Sequence, residues 1–315
     1  MAGNAVALKH APNVPGCAEA IERLFHDAGF GDDGERPPLF TNLRLALSDV
    51  PEVIAHPAVQ GITLTGSVAA GRAVAAEAGR HLKKTVLELG GSDPALVLSD
   101  ADLDRAATAC VTSRLQNAGQ SCIAAKRFIV VDDVHDAFVA RLVGRLQSVM
   151  VGSPLDSDTS MGPLARRDLR DALHDQVERT VAAGARLRLG GIIPDTPGWW
   201  YPPTLLTNVE PGMAAADEEL FGPVAAVLHA RDEDHAIELA NQTPYGLGAS
   251  VYTRDHERGR RIAERELRAG SCFVNDFVRS DPRLPFGGIK DSGYGRELSP
   301  LGIREFVNVK TVVVA

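Results

Sequence analysis

The chain alternates short apolar runs with longer segments in which apolar residues recur every three or four positions. Short apolar runs bounded by Gly, Pro or polar residues predict buried strands, and the periodic segments predict amphipathic helices. The predicted strands are 5–8, 61–65, 94–98, 127–131, 224–228 and 271–274, with 40–47 as a weaker candidate. The predicted helices are 18–28, 68–78, 101–115, 134–150, 166–183, 233–240 and 256–267, and a polar turn is expected at 31–38. Because strands and helices alternate, the pattern favours an α/β fold with parallel strands and helical crossovers.

The carboxyl-terminal residues 306–315 (F-V-N-V-K-T-V-V-V-A) predict a further strand, with one apolar face, at the end of the chain. An exposed apolar edge strand pairs readily with another chain. We therefore expect the protein to be a homo-oligomer.

Composition excludes several classes of partner for this chain of 315 residues. A net charge of −8 argues against nucleic acid or an anionic membrane as the main partner. No apolar run approaches the roughly 20 residues of a membrane-spanning helix, and the first residues lack the pattern of a secretory signal. The four cysteines form no C-x-x-C pair or His-Cys cluster, so we expect no metal site, no disulfide framework and a cytoplasmic location.

The stretch Gln116–Lys126 (Q-N-A-G-Q-S-C-I-A-A-K) places Cys122 between a small polar turn and an apolar run. A thiol at the end of a helical segment can face a cleft and act as a nucleophile. A lone cysteine can equally be a small buried hydrophobic residue.

Glu88 lies in the middle of the apolar run T-V-L-E-L-G-G. A buried carboxylate must be paired, protonated or functional, because an unpaired buried charge is costly. Burial would raise its pKa towards neutrality, which suits a general base that activates water.

The turn T-G-S, which contains Gly66 and Ser67, follows the predicted strand 61–65 and precedes a helix. In parallel sheets, ligands bind at the carboxyl ends of strands, and a helix amino terminus favours an anion such as a pyrophosphate. Without a G-x-G-x-x-G fingerprint, this turn could also be an ordinary helix cap.

Three motifs occur in order along the chain: V-L-E-L-G-G, G-Q-S-C and E-E-L-F-G-P-V. In this order and spacing they resemble the aldehyde dehydrogenase superfamily, as does the later P-F-G-G-I-K-D-S-G-Y-G-R-E. The resemblance implies an aldehyde dehydrogenase-like α/β fold in which Cys122 is the nucleophile and Glu88 the base. A cysteine acyl-transfer enzyme without nicotinamide would leave Glu219 and the T-G-S turn without a role.

The resemblance also implies a nicotinamide cofactor, NADP or NAD. Gly66 and Ser67 would receive its pyrophosphate, Lys9 would meet the adenosine ribose, and Glu219 and Phe221 would lie at the nicotinamide end. NAD-preferring members carry a Glu three residues after the lysine, whereas this chain has Pro12. Without a carboxylate to repel a 2′-phosphate, NADP is the expected cofactor.

The segments L-K-H-A-P, L-G-G-S-D-P and Q-N-A-G-Q-S-C-I-A-A-K-R-F-I-V look most like bacterial succinate-semialdehyde dehydrogenases. A substrate carboxylate favours a guanidinium partner. Some members carry an Arg six residues before the cysteine, where this chain has Gln116. Arg279, Ser280 and Arg283 lie in the loop that lines the pocket mouth in relatives and could replace it; they could also be solvated.

The resemblance divides the chain into a partial NAD(P)-binding, Rossmann-type domain (1–89), an α/β catalytic domain (90–298) and a carboxyl-terminal helix with an oligomerisation strand (299–315). Family members are longer at the amino end, so we expect this sequence to start within the cofactor domain, without the family's oxyanion-binding Asn. Two hypotheses follow: an aldehyde dehydrogenase that forms a thioester on Cys122, or an amino-terminally truncated, non-catalytic remnant that acts at most as an interaction partner.

Overall fold

The structure is a computed structural model that describes residues 2–31 and 38–315. Residues 32–37, most of the polar turn expected at 31–38, lie outside the described residues. The strands are β1 Val6–Leu8, β2 Phe40–Asn42, β3 Gly61–Thr65, β4 Lys84–Glu88, β5 Pro94–Val97, β6 Arg127–Val131, β7 Arg186–Leu189, β8 Thr204–Thr207, β9 Val224–Ala230, β10 Gly248–Tyr252, β11 Ser271–Val274 and β12 Gly293–Tyr294. The α-helices are α1 Pro15–Phe25, α2 Val50–Ala55, α3 Val68–Arg80, α4 Leu103–Leu115, α5 His135–Gln147, α6 Arg167–Ala182, α7 Ala214–Asp217, α8 Glu233–Asn241, α9 His256–Arg261 and α10 Ser299–Glu305.

A seven-stranded sheet in the order β11-β10-β5-β6-β9-β8-β7 forms the centre of the molecule. Its strands pair in parallel except for β7, which pairs antiparallel with β8 at one edge. Every residue of β6 is buried, as expected for a strand covered on both faces.

Side chains alternate between two apolar cores along the strands of this sheet. Ile129 and Val131 of β6 belong to the core that contains residues of α6 and α8. Phe128 and Val130 belong to the core that contains residues of α4 and α5. Helices therefore cover both faces of the sheet, and the α/β fold class expected from the sequence is confirmed.

A three-stranded sheet, β12-β4-β3, carries the base and the turn expected to bind the cofactor. Strands β3 and β4 run parallel, with Thr65 opposite Glu88. The helix α3 connects them, which makes a β-α-β unit. Strand β12 pairs antiparallel with β4 and places Gly293 opposite Glu88. Strands β1 and β2 form a separate parallel pair.

Several boundaries differ from those expected. The predicted helix 256–267 ends as an α-helix at Arg261 and continues as one π-helical turn, Ile262–Glu266. The strand expected at 40–47 is only Phe40–Asn42. Strands β7, β8, β10 and β12 have no counterpart in the sequence prediction. Strands β7 and β8 lie in polar or irregular segments, β10 begins with the small residues Gly248, Ala249 and Ser250, and β12 has two residues.

The strand expected at 306–315 is wrong for the isolated chain. These residues form no β-ladder with the described part of the chain, and Val309, Val313 and Val314 are almost fully exposed. A strand needs a hydrogen-bonding neighbour, and no strand of residues 2–31 or 38–305 lies beside the segment. The helix expected before it is present as α10. Among the described helices, none is long and apolar enough to cross a bilayer.

Candidate active site

Glu88 is the last residue of β4, and its side chain is almost completely buried. Neither oxygen of its carboxyl group has a hydrogen-bond partner among the described residues. Burial, reinforced by the negative charge of Glu297 and opposed by Arg296, raises its pKa to about 7. A carboxyl group of this kind exchanges a proton at neutral pH, as the sequence suggested.

Gly287 leaves the space in which the Glu88 carboxyl group lies. A Cβ on Gly287 would stand 2.9 Å from Glu88 Oε1, and its φ of +157° also disfavours a side chain. The glycine-punctuated loop near residue 287 therefore forms one wall around the base.

Cys122 follows a turn of unusual backbone geometry. Helix α4 ends at Leu115, and the next residues include Asn117, Ala118 and Gly119 with φ values of 53°, 54° and 77°. Left-handed conformations are costly for residues with a Cβ. The Asn117 side chain stabilises the turn by donating from Nδ2 to the carbonyl oxygen of Gln120, over 3.0 Å.

The Cys122 side chain is half-buried at the edge of a small apolar cluster. Its neighbours in the cluster are Ile123, Leu247, Phe273, Val278 and Phe286. Burial raises the pKa of the thiol to about 11; Lys126 opposes this effect, and Asp93, Glu219 and Glu88 add to it. The thiol is therefore neutral at physiological pH and needs a proton acceptor before it can attack. Glu88, whose charge acts on the thiol, has a pKa of about 7, and neither of its carboxyl oxygens has a hydrogen-bond partner among the described residues, so it is the candidate proton acceptor.

Buried charged residues lie beneath the cysteine turn: Asp93, Arg114 and Lys126. Burial lowers the pKa of Lys126 to about 8 and that of Arg114 to about 9, and it raises that of Asp93 to about 6. Asp93 accepts a hydrogen bond at Oδ1 from the Gly248 N–H over 3.0 Å, while its Oδ2 has no partner among the described residues. The sequence analysis gave none of these three a role.

Glu219 lies against the two glycines that follow β4. Its Oε1 accepts a hydrogen bond from the Gly91 N–H over 3.0 Å and lies 3.9 Å from Lys126 Nζ. A Cβ on Gly90 would stand 2.5 Å from Glu219 Oε2, so the glycine permits this approach. The structure thus brings Glu219 close to Cys122 and Glu88. Its expected contact with the nicotinamide ribose stays a prediction.

The turn expected to bind the pyrophosphate lies at the exposed amino end of α3. Ser67 caps the helix by accepting a hydrogen bond at Oγ from the Ala70 N–H over 3.2 Å, which leaves its own O–H free to donate. A Cβ on Gly66 would make only ordinary contacts, 3.7 Å to Leu64, so the chain itself does not demand glycine there. The open backbone and the helix amino terminus fit an anionic ligand such as a dinucleotide pyrophosphate.

Lys9 and Phe221 are half-buried in the structure. Lys9 follows β1 and donates from Nζ to the carbonyl oxygen of His10 over 2.9 Å. Phe221 lies in the loop between α7 and β9, two residues after Glu219. Their expected contacts with the cofactor stay predictions.

Arg279, Ser280 and Arg283 are exposed, and both arginines are paired. Arg279 donates from Nη1 to Asp276 over 2.7 Å and lies 5.8 Å and 5.7 Å from the ring centres of Phe273 and Phe277. Arg283 binds Asp281 through both Nε and Nη2, at 2.9 Å and 2.6 Å. Both guanidinium groups thus already bind a carboxylate of the chain. Their role in substrate binding stays a prediction.

An open groove of about 490 Å³ lies between α4 and the segment that follows β11. Its lining residues are Asp104, Arg105, Thr108, Ala109, Thr112, Arg145, Asn275, Asp276 and Phe277. Phe273 of β11 and Val278 of the same segment pack in the apolar cluster beside Cys122. In the described part of the chain, no group of three or more His, Cys, Asp or Glu side chains could hold a metal ion.

Comparison with known proteins shows which proteins the chain is similar to. Residues 1–312 match the model of the aldehyde dehydrogenase family. The succinate-semialdehyde dehydrogenase [NADP(+)] of Mycobacterium leprae is 50% identical over the whole chain, which covers 68% of that protein. The succinate semialdehyde dehydrogenase [NAD(P)+] Sad of Escherichia coli is 49% identical over 99% of the chain and 66% of its own length.

Among solved structures, the succinic semialdehyde dehydrogenase of Streptococcus pyogenes in complex with NADP+ superposes with a TM-score of 0.94 at 39% identity. The match covers 99% of this chain and 67% of that one. The chain thus spans about two thirds of the length of these relatives. It belongs to the aldehyde dehydrogenase family.

Proposed function

We propose that the protein oxidises an aldehyde to the carboxylic acid through a thioester on Cys122, with NADP or NAD as the oxidant. One observation carries the proposal: the buried, unpartnered Glu88 carboxyl group has a pKa near neutrality and acts on the Cys122 thiol. A general base with a pKa near the operating pH serves proton transfers in both directions.

In the first half of the reaction, Cys122 Sγ attacks the aldehyde carbon while the thiol proton moves to the ionised Glu88 carboxyl group. The Cys122 backbone N–H is the proposed donor to the oxyanion that forms. A bound nicotinamide would supply the hydride acceptor for that carbon, so that the aldehyde would be oxidised and the cofactor reduced. The acyl group then remains on sulfur as a thioester.

Before the second half, Glu88 releases the thiol proton to solvent and is ionised again. It then takes a proton from water, and the resulting hydroxide attacks the thioester carbon. The carbon–sulfur bond breaks, the acid leaves and the Cys122 sulfur regains a proton. Because burial holds the pKa of Glu88 near 7, about half of the molecules carry the ionised base at that pH.

For the cofactor, we propose Gly66 and Ser67 at the pyrophosphate, Lys9 at the adenosine ribose, and Glu219 and Phe221 at the nicotinamide end. Pro12 takes the place of a carboxylate that would repel a 2′-phosphate. The relative from Mycobacterium leprae is named for NADP(+), which supports the same preference here.

For the substrate, we propose succinate semialdehyde, because the relatives carry that name at about half identity. Arg279, with Ser280 and Arg283, would bind the distal carboxylate. Arg279 is the favoured anchor, since Phe273 and Phe277 hold its guanidinium beside the segment that packs against Cys122.

We further propose a cytoplasmic homo-oligomer. The four cysteines are free thiols, as expected for a reducing compartment. The exposed valines of residues 306–315 offer an unpaired apolar segment to a second copy of the chain.

The test is reduction of NADP by the purified protein with succinate semialdehyde, followed by absorbance, beside the Cys122→Ala variant. We expect signal from the wild type alone, with a thioester on the peptide containing Cys122 after acid quenching. Equal signal from both proteins would remove the proposed nucleophile. Labelling of Cys122 by a thiol-reactive aldehyde probe without any turnover would favour the alternative, a non-catalytic family member that acts through its partners.

A further inference from the structure

Lys126 lies completely buried beneath the cysteine turn and binds its backbone. Its Nζ donates to the carbonyl oxygens of Ser121, Cys122 and Ala124 over 3.2, 2.8 and 3.0 Å. An ammonium group has three N–H donors, so these three bonds use all of them. One side chain thus fixes the carbonyl groups on both sides of the nucleophile.

The neighbouring cation, Arg114, has a different relation to the turn. It donates from Nη2 to the carbonyl oxygen of Gly119 over 2.6 Å, three residues before Cys122. Its charge acts on Lys126, where it lowers the pKa. Lys126 has the largest effect among the charges that act on the Cys122 thiol.

The charges that face Cys122 are unbalanced. Lys126 favours a thiolate, whereas Asp93, Glu219 and Glu88 disfavour it. Glu219 lies 3.9 Å from Lys126 Nζ, beyond hydrogen-bonding distance, so it does not compete for the three donors. Removal of the lysine would leave these three carboxyl groups without the cation that opposes them most.

We propose that Lys126 is a positioning residue for the nucleophile: its ammonium group holds the turn through three carbonyls and supplies the positive charge that a Cys122 thiolate needs. This role rests on the proposed function, in which Cys122 attacks the substrate. Lys126 contacts the backbone of the turn and takes no part in bond making itself.

The experiment measures alkylation of Cys122 by iodoacetamide at pH 7, where Lys126, with a pKa of about 8, is mostly protonated. The reaction is read by peptide mass spectrometry. Cys17 is exposed and serves as the internal standard in the same sample. Lys126→Met removes the charge and the donors, Lys126→Gln removes the charge but keeps a donor, and Lys126→Arg keeps the charge. A rise of one unit in the pKa of the thiol lowers the thiolate fraction about tenfold. We therefore expect Lys126→Met and Lys126→Gln to slow alkylation of Cys122 about tenfold, and Lys126→Arg to keep it close to the wild-type rate.

Asp93→Asn is the matched control of opposite sign. Asp93 is as buried as Lys126 and acts on the same thiol, and an Asn can still accept from the Gly248 N–H. We expect this variant to speed alkylation of Cys122, whereas a loosened structure would change both variants in the same direction. Circular dichroism and thermal melting establish that each variant is folded.

Unchanged alkylation in Lys126→Gln, or a change of the same sign in Asp93→Asn, would overturn the role of Lys126. If the lysine variants fail to fold, Asp93→Asn alone decides. Alkylation of Cys122 that is not faster in this variant would contradict the charge argument. Alkylation needs no turnover, so an inactive wild type with the expected alkylation pattern would reject the proposed function alone. An active wild type without that pattern would reject the role of Lys126 alone.

Discussion

Gly119 lies directly against the backbone of Gly222: a Cβ on Gly119 would stand 2.3 Å from both the carbonyl carbon and the carbonyl oxygen of Gly222. Backbone atoms cannot move aside as the end of a flexible side chain can. The turn that presents Cys122 is thus fitted against the loop that follows Glu219 and Phe221. The contact between Gly119 and Gly222, called the junction below, therefore sets the position of Cys122 relative to Glu219 and Phe221, the residues expected at the nicotinamide.

Gly119→Ala should therefore destabilise the protein and reduce turnover together. The φ of +77° and the contact with Gly222 both oppose a side chain, and we expect a loss of at least about 2 kcal/mol in the free energy of unfolding. Gly144→Ala is the control, because Gly144 lies inside α5 with nothing near its Cβ position. There we expect a gain of about 0.5–1 kcal/mol. Denaturant unfolding of both variants measures the difference, and equal effects would contradict the junction.

Glu88→Gln should stabilise the protein increasingly as pH rises. The folded-state pKa of about 7 lies above the ordinary value of 4.5, so the folded protein binds more protons than the unfolded chain between these values. Wild-type stability then falls as pH rises from 4.5 to 7, whereas glutamine stays neutral. The difference in the free energy of unfolding should grow by about 3 kcal/mol at most and level off above pH 7.

Glu305 is the comparison of opposite sign, because the hydrogen bond from Lys84 lowers its pKa. Its contribution to the free energy of unfolding is present above its ordinary pKa and is lost as pH falls, so Glu305→Gln should destabilise the protein most at high pH. A pH-independent difference between wild type and Glu88→Gln would show that Glu88 is not titrating in the folded state.

Glu88→Gln should also slow hydrolysis of the thioester. General base catalysis contributes about 10²–10⁴-fold, and we expect kcat to fall by that factor, because both the thiol and the attacking water lose their proton acceptor. In the wild type, kcat should rise with pH through about 7 and then level off, because the ionised carboxyl group is the active form. Rapid-quench mass spectrometry of the Cys122 peptide separates this defect from a failure to form the thioester.

Pro12→Glu should shift cofactor preference from NADP to NAD. A carboxylate beside the adenosine ribose would repel the 2′-phosphate, and we expect the KM ratio for NADP over NAD to rise about tenfold or more. The exposed neighbour Asn13→Glu is the control, since it adds the same charge one position further along. An equal shift in both variants would indicate a general charge effect rather than a contact at this position.

Arg279→Gln should weaken binding of an aldehyde that carries a carboxylate and leave an uncharged one unaffected. A charge-assisted hydrogen bond is worth about 1.5–3 kcal/mol, which corresponds to a KM for succinate semialdehyde at least about tenfold higher. Butanal, which lacks the carboxylate, should show the same KM with both proteins. Arg283→Gln is the matched comparison, because that side chain is 86% exposed and already bound to Asp281 by two nitrogens. A larger effect at Arg283 would reverse the assignment.

The sequence predicted most of the central sheet because its strands are continuous apolar runs. Strands β3, β6 and β11 have the expected bounds. The charge of Glu88 acts on the Cys122 thiol, and the expectation that both residues act on one acyl carbon stays a prediction. The terminal strand failed because its formation depends on a neighbour that the single chain does not supply.

The charges beneath the cysteine turn were missed for another reason. Lys126 and Asp93 stand before apolar strands, where polar residues normally reach solvent, and burial of a charge runs against the usual cost. Only tertiary packing shows that Lys126 has three carbonyl partners. The sequence offers one signal for these residues: Lys126 is a charged residue four positions after the candidate nucleophile Cys122.

The Gly66 N–H donates to the carbonyl oxygen of Glu88 over 2.9 Å. This backbone hydrogen bond joins the turn proposed for the pyrophosphate to the residue proposed as the base. The rate at which the Gly66 amide proton exchanges with deuterated solvent consequently measures how often this hydrogen bond to the Glu88 backbone opens. Dinucleotide seated on that turn would shield this proton, and one amide would then record cofactor loading before any aldehyde is present.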